Sequence, residues 1–313
     1  MKYLTRAAFL KARRFLLESA RPLERCLYLH HFENGPKQRV WDELGSFQNS
    51  DGGFGNALES DLRTPTSSAL CTSIAMEIFT ELEARCEEPM VKMAVDYLVK
   101  TFDRGRKVWR IIPEDLEQSA HAPWWNQNEL EATFAGFMAI PRAKLCGSLI
   151  HYQQLLPSGF LDTLLDDVFC RFEREDDHIF GDSLRCYLFL YQSGRLPQEM
   201  KDRMHAKLER MILASVETDA AKWDTYCLRP LWAVNAPTSP FYHLLASSIT
   251  ANLDYEVDHQ CEDGSWKPQW SWHADYPAEW ELAEREWRGR LTLDMLSAMR
   301  PFGRIEGQGP SSP

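Results

Sequence analysis

The chain is 313 residues long, 44% hydrophobic and 12% aromatic, and carries a net charge of -11 at pH 7. That is enough apolar material for a sizeable core. The acidic balance excludes a general nucleic-acid binder, because phosphate contacts need a basic surface.

No run of about 18 apolar residues occurs, so no membrane span is expected. Met1–Lys11 has charges inside its apolar part and reads as an amphipathic helix rather than a signal peptide. The eight cysteines are scattered and form no CxxC pair. Reduced thiols of a cytoplasmic protein fit this usage better than a disulfide framework.

Apolar residues recur at three- and four-residue spacing. The spacing predicts helices over 4–20, 23–33, 66–83, 90–102, 127–139, 143–155, 160–174, 182–193, 197–216, 224–234, 240–254 and 278–299. β-branched alternating runs are almost absent, so an all-α fold is expected. About twelve helices suggest a toroid or solenoid rather than a simple bundle. One domain over 1–305 is expected, followed by a disordered tail over 306–313.

The junctions alternate between short polar turns and longer stretches rich in Gly, Trp and Pro at 48–65, 105–126, 176–182, 217–223 and 257–277. Layered helices would place the rich loops at one common end. Two of them share a pattern. Gln48-Asn-Ser-Asp51-Gly52-Gly53-Phe54 and Gln260-Cys-Glu-Asp263-Gly264-Ser265-Trp266 both read Gln-x-x-Asp-Gly-small-aromatic. Asp-Gly forms the turn, the aromatic ring plugs between helices, and Gln bonds backbone groups at a helix end. The pair therefore reads as a structural staple, and as a sign of internal repetition. Gly53-Phe54-Gly55 is a poor phosphate loop, since Leu58 stands where a third Gly is needed.

Thr64 and Pro65 offer an N-cap and first helical position for a small-residue-rich helix that follows. Its Ser, Ala, Cys and Thr residues suit close helix packing, or leave room for a cavity.

Several constellations are candidates for chemistry. Glu59, Asp61 and Arg63 cluster before that helix, where a buried carboxyl with raised pKa can act as a general acid; a salt bridge fixing the loop is the plainer reading. His121 stands beside Trp124 and Trp125, pairing a proton carrier with aromatic faces; an aromatic plug is the alternative. Asp224 reads as a helix N-terminal residue, with Tyr226 and Arg229 three apart toward one face. Trp266, Trp270, Trp272 and His273 follow the second motif, where alternate Trp residues can line one side of an extended loop. Asp182 and Cys186 lie at i and i+4, and with a distant His such as His273 they could hold zinc. Cys186 as a small core residue is the competing reading, and no cofactor is otherwise expected.

The motif pair and the helix periodicity resemble the terpenoid cyclase and protein prenyltransferase superfamily. The second copy is similar to the QW repeat of squalene-hopene cyclases. The segment from Gly52 to Pro65 is similar to bacterial prenyltransferase-like proteins of unassigned activity. The resemblance implies an α/α toroid of about six helical hairpins with a central cavity, and an enzyme acting on an isoprenoid or other apolar small molecule. Asp61 or Glu59 would then be the acid, with Arg63 tuning it and His121 assisting. Trp124, Trp125, Asp182, Tyr226, Arg229, Trp266, Trp270, Trp272 and His273 would shape the pocket.

The family's chemical motifs are missing. No DxDD occurs, Asp176-Asp177-His-Ile-Phe180 lacks the last Asp of DDxxD, and no Asp-x-Cys zinc spacing is present. A carbohydrate-active enzyme and a non-catalytic binding or scaffold protein therefore remain rivals on the same fold.

Overall fold

A computed structural model describes residues 1–308. The described residues are all-helical, with thirteen α-helices and isolated bridges but no strand. In chain order the first are α1 (Arg6–Glu18), α2 (Pro22–Glu33), α3 (Lys37–Gly45), α4 (Ala69–Glu81) and α5 (Pro89–Thr101). Next come α6 (Leu130–Thr133), α7 (Arg142–Leu149), α8 (Phe160–Arg174), α9 (Gly181–Gln192) and α10 (Gln198–Ser215). The last are α11 (Pro230–Ala233), α12 (Tyr242–Asp258) and α13 (Pro277–Met299).

Several expectations need correction. α3 was not foreseen; it is a short helix of mostly polar residues anchored by buried Val40 and Leu44. The 127–139 segment breaks at Gly136, where Ala135, Gly136 and Phe137 all take positive φ, and only Leu130–Thr133 is α-helical. The 143–155 segment tightens into a 3₁₀ helix after Leu149. The 224–234 segment is helical only over Pro230–Ala233. Asp224 and Tyr226 lie in the turn before it, so the helix N-terminus and the shared helix face expected for them do not exist. Ser68, not Thr64, caps α4, accepting from the Cys71 amide at 3.0 Å. Residues 64–68 are loop.

The chain forms two compact units, 44–214 and Met1–Glu43 with Ser215 onward. The 44–214 unit is organised around α7, which packs against α4, α8 and α9. Every residue of α7 except Lys144 is buried. A helix covered on all sides has no polar face, which explains its lack of amphipathic pattern. At Gly147 an added Cβ would stand 3.1 Å from the Leu190 Cα, so any larger residue would push α9 back by a few tenths of an ångström. α4 buries Ala69, Cys71, Thr72, Ser73 and Ala75, and its small residues serve close packing with α5 and α7.

In the other unit α13 packs against α1 and α2, and α11 against α12. The ends of the described chain pair here. The Leu4 amide donates to the Arg304 carbonyl at 2.8 Å, and the Glu306 amide donates to the Leu4 carbonyl at 3.0 Å. The first residues of the expected tail are thus bonded; residues 309–313 lie outside those described.

The two motif copies are built alike. Gln48 Nε2 donates to the Gly52 carbonyl and to that of Met90 in the first turn of α5, both at 3.0 Å. Gln260 Nε2 donates to the Gly264 carbonyl at 2.9 Å and to that of Ala8 in the first turn of α1 at 3.1 Å. The Phe54 amide donates to Thr72 Oγ1 at 3.0 Å, and the Trp266 amide to Thr292 Oγ1 at 3.1 Å. Each Thr hydroxyl returns to the carbonyl four residues back in its own helix. In the first copy Asp51 accepts from Ser67 Oγ at 2.8 Å. In the second, Asp263 accepts from Ser265 Oγ at 2.8 Å. α1 therefore stands to α13 as α5 stands to α4. The staple reading of both motifs follows directly from these bonds.

Candidate functional site

In the 44–214 unit the structure brings together two expected segments. The Arg63 amide donates to the Ala120 carbonyl at 2.9 Å, and the Ala122 amide donates to the Asp61 carbonyl at 3.0 Å, pairing 61–63 with 120–122. Glu59, Asp61 and His121 are buried, and Arg63 is half-buried. His121 Nδ1 faces the Ser119 carbonyl at 2.7 Å and Nε2 faces the Asn126 side-chain Oδ1 at 2.9 Å. A carbonyl only accepts, so Nδ1 carries the proton. With both nitrogens engaged, the ring locks the loop. Trp125 is buried and stacks on Phe134 at 5.0 Å, while Trp124 is half-buried. Asp182 pairs with Arg185 at 3.4 Å on α9. Cys186 is buried, and burial pushes its thiol up to about 12, away from the thiolate that metal binding needs. Among the described residues no group of three or more His, Cys, Asp or Glu is placed to hold a metal.

The other unit contains a half-open pocket of about 440 Å³. Of the expected residues, Arg229, Trp266, Trp270 and His273 line it. Tyr226 is 53% exposed and meets the Trp270 ring edge-on at 5.9 Å. Trp272 does not line the pocket: it is fully buried against Trp280, with ring centroids 5.8 Å apart.

The centre of the pocket wall is a pair that the sequence did not suggest. Glu256 on α12 is 1% exposed, and its Oε1 lies 3.0 Å from Arg229 Nη1. Asn252, one turn earlier, donates from Nδ2 to the same oxygen at 3.0 Å. Its orientation is fixed, because Asn252 Oδ1 accepts from the Leu231 amide at 3.0 Å. The Glu256 carbonyl accepts from Trp266 Nε1 at 2.9 Å, tying the second motif to the same helix turn. Burial drives the Glu256 carboxyl above the ordinary carboxylate range; Arg229, Asn252 and His259 pull the other way and do not cancel it.

At the rim, Tyr255 Oη donates to Asp224 Oδ1 at 2.6 Å, and the Tyr255 ring stacks on His259 with centroids 3.7 Å apart. Burial first, and then the bond to Asp224, raise the Tyr255 phenol above its usual range. His259 Nδ1 donates to the Tyr255 carbonyl at 2.7 Å, leaving Nε2 facing Asp224 at 3.7 Å. The arrangement sets a buried carboxyl, pushed above its ordinary range by burial, beside an exposed imidazole whose Nε2 faces Asp224. That is the equipment of acid–base chemistry.

The missed residues carried one signal. Leu245, Ile249, Asn252, Leu253 and Glu256 form the buried stripe of α12. Two polar residues on an otherwise apolar stripe mark a buried network.

Comparison with family models, with curated proteins and with solved structures returned no match.

Proposed function

We propose that this chain is an acid–base enzyme acting on a small molecule in the pocket around Glu256, on a terpenoid-cyclase-like ring of helical hairpins. The observation that carries the reading is Glu256 itself. It is a carboxyl held by Arg229 and Asn252 at the wall of a pocket and biased by burial toward its neutral, proton-donating form. Perturbed carboxyls concentrate at such sites. Glu256 replaces Asp61 and Glu59 as the proposed acid, because the 59–63 loop is pinned to 120–122 and its His121 is committed to that loop.

Trp266, Trp270, Tyr255, Leu291 and Met295 give the pocket an apolar side for an isoprenoid or similar body. The volume falls within the roughly 300–1,000 Å³ of small-molecule sites. The matching staples, with α1 in the role of α5, support the ring. The eight cysteines are scattered and include no CxxC pair, a usage that supports a reducing, cytoplasmic setting. No helix among the described residues is long and apolar enough to cross a membrane.

A second reading, a carbohydrate-active enzyme, is favoured by Trp266 and Trp270 flanking Asp224 and Glu256 in a half-open pocket. Infrared difference spectra of wild type and Glu256→Gln between pH 5 and pH 8 test the acid directly. A protonated carboxyl band that persists above the ordinary carboxylate range, missing in the variant, is expected. Its absence from wild type removes Glu256 as the acid. Thermal-shift screening with isoprenoid alcohols and with oligosaccharides separates the two substrate classes.

A further inference from the structure

The bonding left open around this pocket is one-sided. Both lining carboxylates already accept from the protein: Asp224 from Tyr255 Oη, Glu256 from Asn252 and Arg229. Gln269 is also engaged, donating to the Trp223 carbonyl. What is left over is donors. Arg229 Nε and Trp270 Nε1 are closed to solvent and have no acceptor among the described residues. An indole or guanidinium N–H buried without a partner has lost its water and gained nothing in return, so two at one site are unusual. Lys267, exposed on the pocket lining, forms no ion pair among the described residues, and the His273 imidazole forms no hydrogen bond among them.

On a chain of net charge -11, we propose that this pocket takes a small organic acid. Its carboxylate meets Lys267 first and then seats against Arg229 and Trp270, and its apolar body lies along Trp266, Leu291 and Met295. This rests on the pocket being the working site, and it adds the ligand's charge and shape. A carboxylate suits the site because it is planar and carries one charge. Lys267 and Arg229 are the cations of the lining, and Arg229 offers a planar fork to such a group. The apolar side of the wall suits a hydrocarbon or aromatic body. The buried position of the two orphan donors has a consequence. Neither is open to a water-sized atom, so a carboxylate oxygen reaches them only as the Trp270 side chain shifts to admit it; they govern retention, while Lys267 governs capture and its salt dependence.

The test uses the full chain and matched probe pairs: benzoate, hydrocinnamate, indole acetate and decanoate, each against its primary amide. Binding is read by calorimetry and by the indole N–H resonance of Trp270, assigned through Trp270→Phe. At least one acid is expected to bind about tenfold or more tightly than its amide, the worth of a charge-assisted hydrogen bond. The Trp270 resonance should move. Lys267→Ala should weaken that acid several-fold and flatten its salt dependence. Equal binding of acid and amide, or acid binding that leaves the Trp270 resonance still, overturns the inference. If neutral sugars or isoprenoid alcohols bind and no acid does, the inference falls while the pocket reading stands. If an acid binds but Glu256 titrates in the ordinary carboxylate range, the acid role of Glu256 falls and the carboxylate site stands.

Discussion

Gln260 reaches back 252 residues to the Ala8 carbonyl at 3.1 Å, as Gln48 reaches Met90 at 3.0 Å. The glycine in each motif shows how closely the staple closes. Gly52 and Gly264 have φ of +91° and +95°, and a Cβ on either would stand 2.3 Å from backbone of the docked helix, at Met93 or Lys11. Those neighbours are helix backbone and cannot turn aside. Gly52→Ala and Gly264→Ala should each cost about 3 kcal/mol or more, combining left-handed strain with the clash. For units of this size that lowers Tm by roughly 6–12 °C. A loss below 2 °C in either variant, by circular dichroism, would show that the helices are not clamped as described.

Glu256 makes stability fall as pH rises. Its carboxyl is raised in the fold, so the native state holds its proton where the unfolded chain, at about pH 4.3, has released it. Between those two values the native state binds more protons. Stability attributable to Glu256 is then complete below the unfolded value and declines as pH climbs toward the folded one, by at most ~1.4 kcal/mol per pH unit. Glu256→Gln removes that titration and leaves a constant offset from Arg229. Relative to wild type, the variant should therefore gain Tm progressively above pH 4.3. Parallel Tm–pH curves between pH 4 and pH 8 would contradict a raised Glu256.

Much of the helix inventory, and the staple, were legible because they rest on local pattern. Gln-x-x-Asp-Gly needs only neighbours in sequence to form its turn. What failed was local pattern overruled by context. Cys227, Leu228, Leu231, Trp232 and Val234 mimic helical spacing at 224–234, but the stretch opens on a turn, where Trp223 is buried and its Nε1 donates to the Glu217 carbonyl at 2.8 Å. Pro230 restrains the residue before it, and the helix starts only there. The site was harder still. Glu256 lies 27 positions from Arg229, and the polar break in the α12 stripe acquires meaning only when Arg229 folds onto it.

Arg142 in α7 is fully buried, and Nη1 lies 2.5 Å from Asp167 Oδ2 on α8. Nε donates to the Met138 carbonyl at 2.8 Å, and Nη1 to that of Lys107 at 3.1 Å. The work of Asp167 is to neutralise this guanidinium. Asp167→Ala leaves a buried charge unbalanced and should cost about 3–5 kcal/mol. Lys107 is also within 3.3 Å of Asp167, but it sits nearer solvent and loses little. Lys107→Ala should therefore cost under ~1 kcal/mol. Urea unfolding of the two variants tests the contrast, and equal losses would place the Asp167 charge at the surface rather than with Arg142.

The pairing of Leu4 with Ile305 makes a circular permutant feasible. Leu4 is bonded on both sides, to Arg304 and to Glu306, and α1 completes the second staple against α13. A flexible linker of about ten residues spans up to ~33 Å, ample for ends that begin this close. The turn at Gly194, with φ of +74° and no atom crowding its Cβ position closer than 3.9 Å, is a suitable new opening. Joining Gln308 to Met1 and opening at Gly194 should give a folded, monodisperse protein within a few degrees of the parent Tm. Deleting residues 1–19 instead strips Gln260 of its Ala8 acceptor and uncovers the α13 face, so it should abolish cooperative unfolding. A well-folded deletion would mean that α1 is an appendage, and the likeness of α1 to α5 would lose its structural meaning.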